Sequence, residues 1–224
     1  VRLAAIAGRG GAKLDLARFN ELSDTTPVLA AVKPVGNEHY MEDFFAAGGI
    51  GAVLRELKDR LHLDAMTITG ETLGERLAAE EGIWVDRRVI KPIKEPIEPH
   101  AGLVALFGSL APKGAIIKRS AATPELFERT GRAVVFTSLA DLSARVDDPG
   151  LDVTADDFLI LQNAGPSSPA GMPEAGFLPI PKKLLAAGVK DMVRISDARM
   201  SGTAYGTIVL HVAPEAAAGG PLAL

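Results

Sequence analysis

Cysteine is absent from the 224 residues of the chain, and aromatic residues make up only 5% of it. Without thiols, these residues alone cannot form a disulfide, a thiolate nucleophile, or a thiolate-held zinc or iron–sulfur site. The net charge of −4 and the lack of a basic cluster argue against a nucleic-acid partner. No apolar run approaches the length that a bilayer requires. What remains is a globular composition, 47% apolar, that can bury a sizeable core.

The first part of the chain alternates helix and strand signals, which predicts an α/β arrangement. Leu16, Phe19 and Leu22 recur at helical spacing, and the apolar run PVLAAVK (27–33) is typical of a buried strand. Glycines and polar residues then bound three further predicted helices: YMEDFFAA (40–47), IGAVLRELKDRL (50–61) and TLGERLAAEEG (72–82).

The pattern changes after residue 83. Pro92, Pro96 and Pro99 exclude a regular helix in VIKPIKEPIEPHAG (89–102), so this segment is the candidate domain boundary. Short apolar runs follow and predict a β-rich barrel or sandwich with occasional helices. The predicted strands are LVALFG, GAIIK, AVVFTS, DFLILQN, MVRIS and TIVLHV, and the predicted helices are LADLSARV and PKKLLAAGV.

Two polar segments contain candidate functional residues. The first precedes the β-rich part, and the second lies in its first predicted hairpin. KPVGNEHYMED (33–43) carries His39, Glu42 and Asp43, and its acids are typical of a helix start. GSLAPKGAIIKRSAA (108–122) places Lys113 and Lys118 around a glycine turn, where they could bind a carboxylate or belong to an ordinary hairpin.

Two further segments follow apolar strands directly. In QNAGPSSPAGMPEAG (162–176) Glu174 is either a residue of a helix start or a ligand presented to a hard cation such as Mg²⁺. In ISDARMSGTAYG (195–206) Ser201 is either a helix cap or a reactive hydroxyl. Asp197 and His211 are near it in sequence, although no Ser–His–Asp arrangement follows from that. A serine without a histidine needs a positive field to act as a base.

Together ISDARMSGTAYGTIVLHVAPEAAAGGPLAL (195–224), GPSSPAGMPEAG (165–176), SLAPKGAIIKRSAA (109–122) and MEDFFAAGG (41–49) resemble the dihydroxy-acid and sugar-acid dehydratase family of iron–sulfur enzymes. The form SDARMSGTAYG is most similar to the pentonate branch, the arabinonate and xylonate dehydratases. The resemblance implies a hydro-lyase that dehydrates an aldonic acid to a 2-keto-3-deoxy acid. Dihydroxy-acid dehydratase of branched-chain amino-acid biosynthesis is the alternative enzyme.

The resemblance also implies an architecture and a set of site residues. Residues 1–90 would close an N-terminal α/β domain, and residues 91–224 would form a swivelling β-barrel domain with flanking helices, truncated at its end. Ser201 would be the proton acceptor and Glu174 a Mg²⁺ ligand, with Lys118 and Thr203 contacting the substrate. The family's [2Fe-2S] cluster and Mg²⁺ would serve as Lewis acids, and the enzyme would be a cytoplasmic homo-oligomer.

The cluster cysteines and the other Mg²⁺ ligands are expected upstream of Val1, so we expect this chain to be an inactive fragment by itself. Four positions depart from the family pattern, and their effect on activity is open: Phe107, Ser109, Ser168 and Ala170. Two readings of another class are a non-catalytic binding module built on the barrel domain and an acid-binding transport module.

Overall fold

A computed structural model describes residues 2–33, 36, 38–172, 178–199, 201 and 205–224. The chain divides into two compact units. One comprises Asp24–Ala101, and the other joins Val1–Ser23 to Gly102–Leu224. The predicted division at residue 90 stays a prediction. Within the described residues, no helix is both long and apolar enough to cross a bilayer.

The helices lie where amphipathic runs are bounded by caps and glycines. In chain order they are α1 (Arg2–Arg9), α2 (Leu16–Thr25), α3 (Met41–Ala46), α4 (Gly49–Glu56), α5 (Leu73–Ala79), α6 (Leu139–Arg145) and α7 (Lys182–Ala186). The strands are β1 (Leu103–Gly108), β2 (Ala111–Lys118), β3 (Ala133–Phe136), β4 (Phe158–Leu161), β5 (Arg194–Ser196) and β6 (Ile208–Ala213). Each apolar run predicted as a strand after residue 102 contributes to one of them.

The smaller unit is built from α3, α4, α5 and the proline-rich segment, which contains no regular helix. The strand predicted over 27–33 is wrong, because Val28 and Val32 form only isolated bridges, to Glu98 and His39. Pro96 and Pro99 flank the partner of Val28 and have no backbone N–H to donate, so a longer ladder cannot form there.

Within the described residues the larger unit contains one six-stranded sheet in the order β1-β2-β6-β5-β4-β3. β1, β2 and β6 pair antiparallel, whereas β6, β5, β4 and β3 pair parallel. The architecture is therefore mixed α/β, with α6 and α7 in the crossovers that parallel strands require. α2 covers the outer edge of β1, where the Asn20 side chain bonds both the N–H and the C=O of Ala105.

β3 and β4 are apolar on both faces, as expected for parallel strands buried on both sides. On one face Phe136, Leu159, Leu161 and Leu210 cluster with Leu142 of α6. On the other face Ile160 clusters with Val212 and Leu222. Full burial of each large aliphatic side chain contributes roughly 1.5–3 kcal/mol, so the sheet is a rigid base for the loops at its edges.

The sequence predicts a turn at Gly114, but the structure places this glycine in a strand. Gly114 lies inside β2, and the hairpin turn is formed by residues 109 and 110, between the ends of β1 and β2. The φ of Gly114 is +107°, and a Cβ there would lie 2.9 Å from a methyl carbon of Leu16. Glycine is needed because a helix packs against the strand at this point, and the register with β6 shifts beside it.

Candidate functional site

Two candidate loops leave the sheet at the same edge. Leu161, the last residue of β4, pairs with Ser196, the last residue of β5. Since these strands run parallel, the loop after β4 and the loop after β5 start side by side. The first loop carries Glu174 and the second carries Ser201 and Thr203. Ser201 is half-buried, whereas Glu174 and Thr203 lie outside the described residues.

Asp197 links the starts of the two loops. Its side chain is buried, with Oδ1 accepting a hydrogen bond from the Ala164 N–H and Oδ2 accepting one from the Ala216 N–H, each at 2.9 Å. Bonds from N–H groups to a carboxylate are stronger than neutral ones. Asp197 is near Ser201 in sequence, and in the structure both of its carboxylate oxygens bind backbone N–H groups.

The first turn of the loop after β4 is held by Glu215 and by Ser168. Glu215 accepts bonds from the Ser167 N–H at 2.8 Å and from the Ser167 hydroxyl at 2.7 Å. A Cβ on Gly165 would overlap the Glu215 carboxylate, so glycine is required there. The buried Ser168 hydroxyl donates to the Gly165 carbonyl at 2.7 Å. Ser168, a departure from the family pattern, therefore has a structural role in closing this turn.

A buried ion pair lies beside these loops, and the sequence analysis missed it. Asp191 and Arg194 bracket the start of β5, and their side chains are each 8% exposed, with 3.0 Å between Oδ1 and Nη2. Burial raises the pKa of the Asp191 carboxyl, but hydrogen bonds from Thr123 and Thr207 and the charge of Arg194 hold it below its usual value. The sequence feature that could have indicated this ion pair is an acidic and a basic residue three positions apart, with Met192 and Val193 between them.

Lys118 is the last residue of β2 and is half-buried. Burial lowers the pKa of its ammonium group. The segment that follows it is joined to the end of the Ser201 loop, because the Gly206 N–H donates to the Ala121 carbonyl at 2.9 Å. The structure thus connects the segment after Lys118 with the loop that carries Ser201.

His211 lies in β6 with a φ of 56°, in the left-handed region. Its N–H donates to the Ala198 carbonyl at 3.0 Å, so it meets the Ser201 loop two residues after that loop leaves β5. Burial, followed by nearby positive charge that includes Arg199, lowers the pKa of His211 to about 4. The imidazole is therefore neutral at physiological pH.

The residues of this chain do not fit the expected cluster, since there is no cysteine to hold it. Among the described residues, no group of three or more His, Asp or Glu side chains could hold a metal ion. The acids at residues 42 and 43 serve a helix start, as the sequence indicated, with the Asp43 carboxylate accepting a bond from the Tyr40 N–H at 2.7 Å.

Comparison with known proteins bears on the same segments. Residues 1–76 match the family model described as dihydroxy-acid/6-phosphogluconate dehydratase, N-terminal, and residues 88–224 match its C-terminal counterpart. The chain is 49% identical to the L-arabonate dehydratase of Azospirillum brasilense, 48% to the 6-deoxy-6-sulfo-D-gluconate dehydratase of Pseudomonas putida, and 40% to the dihydroxy-acid dehydratase of Syntrophobacter fumaroxidans.

These matches cover 100% of this chain but only 38%, 39% and 40% of the three relatives. The chain therefore spans about two-fifths of the length of the proteins it matches. The resemblance inferred from the four motifs is confirmed. The chain belongs to the dihydroxy-acid/6-phosphogluconate dehydratase family.

Proposed function

We propose that this chain is part of a hydro-lyase that removes water from an aldonic acid and yields a 2-keto-3-deoxy acid. The observation that carries the proposal is the shared origin of the two loops at paired residues of β4 and β5, cross-linked by Asp197. Relatives named as dehydratases of arabonate and of a sulfogluconate support a sugar-acid substrate.

Each candidate side chain has a role in this proposal. Ser201, as its alkoxide, takes the proton from C2 of the substrate, the C2–C3 double bond forms, and the C3 hydroxyl leaves as water with the proton that Ser201 gives back. The resulting enol tautomerises to the ketone. Removal of a proton next to a carboxylate builds up negative charge, so a nearby cation lowers the barrier. Lys118 would pair with the substrate carboxylate, and Thr203 would bond a substrate hydroxyl.

Glu174 would supply one oxygen ligand to Mg²⁺, a cation that prefers carboxylate and water oxygens. One carboxylate does not make a magnesium site, and the chain has no ligand for the cluster. Both groups would be held mainly by residues outside this chain, and we assign no step of the reaction to them. We therefore propose that the upstream part of the same enzyme completes the site and that this chain alone is inactive.

The finer architecture is part of the same proposal. Residues 1–90 would end an N-terminal α/β domain, and residues 91–224 would form the swivelling β-barrel domain. The mixed six-stranded sheet and its crossover helices support a β-rich domain, and the barrel is proposed on the resemblance. A homo-oligomer is expected on resemblance alone.

Substitution of Ser201 in the complete enzyme tests the proposal. We expect Ser201→Ala to abolish turnover of aldonic acids and to leave the visible absorption of the cluster intact, because only the proton acceptor is lost. The matched control is Ser143→Ala on the exposed side of α6, which should retain wild-type turnover. Wild-type turnover in Ser201→Ala would remove this serine from the mechanism.

Substitution of Glu174 tests the metal assignment separately. Glu174→Gln keeps the size of the side chain and removes its charge, so we expect activity to require more Mg²⁺ while the iron content stays unchanged. Loss of iron in this variant would show that the role of Glu174 is wrong.

Dihydroxy-acid dehydratase is the second candidate, and the 40% identity to the Syntrophobacter fumaroxidans enzyme favours it. A panel that compares aldonic acids with branched 2,3-dihydroxy acids separates the two. A higher kcat/KM for the branched acids would reverse the order of the candidates.

A further inference from the structure

Four buried or half-buried side chains form one polar network beside β5, here called the Asp191 network: Asp191, Arg194, Thr123 and Thr207. The Asp191 carboxylate accepts bonds from the Thr123 hydroxyl at 2.6 Å, the Thr207 hydroxyl at 2.7 Å and the Thr207 N–H at 2.9 Å. Arg194 completes it with the 3.0 Å ion pair. The network is closely hydrogen-bonded, and its two charged side chains are shielded from water.

The Arg194 guanidinium also reaches the far ends of both candidate loops. Its Nη1 donates to the Leu178 carbonyl at 3.0 Å, and its Nη2 donates to the Tyr205 carbonyl at 2.9 Å. Leu178 follows the loop that carries Glu174, and Tyr205 follows the residues after Ser201. A single planar group therefore binds the downstream ends of two loops whose upstream ends are linked by Asp197.

The third candidate segment meets the same network. Thr123 lies five residues after Lys118, and its N–H donates to the Thr207 hydroxyl at 3.0 Å. The Gly206 N–H donates to the Ala121 carbonyl at 2.9 Å. The segments after Lys118, before Leu178 and before Thr207 are thus all held by the hydrogen bonds of one ion pair and two threonines.

Gly206 allows the network to close. Its φ is +88°, and a Cβ at this position would lie 2.2 Å from Nη2 of Arg194 and 2.4 Å from Oδ1 of Asp191. Both distances are shorter than any real contact of a Cβ atom, and the two partners are fixed by burial. Any larger residue at position 206 must therefore displace the ion pair.

Stability alone is a weak explanation for this arrangement. Removing two charges from water costs as much as their attraction returns in many buried pairs, so an apolar pair of similar volume would stabilise the fold as well or better. What an apolar pair cannot do is donate to the carbonyls of Leu178 and Tyr205 and accept from Thr123 and Thr207. The distinctive property of this ion pair is that it fixes backbone at several loop ends.

We propose that Asp191 and Arg194 are positioning residues that hold the Glu174 loop, the Ser201 loop and the segment after Lys118 in one arrangement for catalysis. The positioning itself follows from the contacts, whereas its importance for turnover rests on the proposed function. Neither residue touches the substrate in this proposal; each acts through the loops it holds.

Hydrogen exchange of this chain tests the positioning without any enzymatic activity. Arg194→Lys keeps the positive charge but cannot donate to Leu178, Tyr205 and Asp191 at once. We expect exchange over 165–178 and 198–206 to become about tenfold faster or more, with β4 and α6 unchanged. The matched control is Arg132→Lys, which weakens another ion pair with a buried aspartate, Asp157, and whose described side-chain hydrogen bonds reach Asp152 and Asp157 but neither loop. Unchanged exchange in both loops of folded Arg194→Lys would overturn the proposal.

A pair of glycine variants provides a second test if Arg194→Lys does not fold. Gly206 and Gly188 have nearly equal φ values of +88° and +91°, but a Cβ on Gly188 meets nothing within 4 Å. Gly206→Ala and Gly188→Ala therefore share the backbone strain, and only the first displaces the ion pair. We expect faster loop exchange in Gly206→Ala alone. Equal exchange in the two variants would contradict the network's role.

Turnover in the complete enzyme separates this inference from the proposed function. We expect Arg194→Lys to lower kcat at least tenfold, with a smaller change in KM and unchanged cluster absorption, because the loops are misplaced and not removed. Faster loop exchange with wild-type kcat would overturn the role in catalysis. If Ser201→Ala stays active while Arg194→Lys loosens the loops and lowers kcat, the proposed serine chemistry is wrong and the positioning role stands.

Discussion

Replacement of Asp197 by asparagine is the most direct test of how the candidate loops are held. Asp197 is 1% exposed, and its two carboxylate oxygens accept bonds from the Ala164 and Ala216 N–H groups. Asparagine has the same shape but only one acceptor oxygen. Its NH₂ group must therefore face one of the two buried backbone donors, so that one hydrogen bond is lost and two donors oppose each other.

The cost follows from the strength of these bonds. A hydrogen bond to a charged group contributes about 1.5–3 kcal/mol, and a buried donor without a partner costs a similar amount. We therefore expect Asp197→Asn to lower the free energy of unfolding by about 2–4 kcal/mol. Asp197→Ala leaves both donors without this carboxylate and opens a cavity, so its loss should be larger, about 3–6 kcal/mol. Typical domains have about 5–15 kcal/mol in total, so the asparagine variant should still fold.

Urea unfolding of the chain measures this loss, and hydrogen exchange at Ala164 and Ala216 locates it. The control is Asp148→Asn, where an exposed carboxylate accepts a bond from the Gly150 N–H at 2.8 Å in a surface turn. This control should stay within about 0.5 kcal/mol of the wild type. An Asp197→Asn variant equally close to the wild type would refute the argument that buried backbone depends on this carboxylate.

Two other groups give predictions that do not depend on the enzymatic proposal. The pKa of His211 is about 4 in the folded chain, below the value of about 6.5 in the unfolded chain, so the unfolded state gains a proton first as the pH falls. Stability from the neutral ring should decline by about 1–2 kcal/mol between pH 6.5 and 4, allowing for solvent screening. His211→Asn, which tolerates the left-handed backbone, should reduce that slope in urea titrations at several pH values, and an unchanged slope would contradict the assignment. At the start of α5 the Thr72 hydroxyl accepts a bond from the Glu75 N–H, so Thr72→Ala should cost about 1 kcal/mol and Thr72→Ser much less. Equal stability of the alanine and serine variants would exclude a capping role for the hydroxyl.

The strands of the larger unit were predictable because each lies in a short apolar run bounded by glycine, proline or polar residues. The same reasoning failed for 27–33, where the run is equally apolar. Strand formation also requires a partner with N–H groups to donate, and the segment around Glu98 is interrupted by prolines. The apolar pattern of a segment predicts that the segment is buried. Whether it forms a strand depends on the partner segment, which is distant in sequence.

The candidate loops were predictable as well, since polar runs directly after buried strands are where binding residues concentrate. What holds them was not predictable. Asp191 and Arg194 lie in a stretch that reads as an ordinary strand with charged ends, and nothing in it indicates bonds to Leu178 or Tyr205. In the sequence Asp197 was considered only as a neighbour of Ser201. In the structure its carboxylate binds the N–H groups of Ala164 and Ala216, which are 33 and 19 residues away in sequence.

These contacts explain why the segment after β5 contains so many polar residues. In the proposed function this loop presents a reactive hydroxyl, so it cannot be fixed by apolar packing alone, because its side chains must remain available to the substrate. The alternative is to fix its ends. Asp197 fixes the start of the loop, and Arg194 fixes its end through the Tyr205 carbonyl. Charged groups suit this task because they form strong, directional bonds to backbone. Because these groups are buried, water does not compete for those bonds.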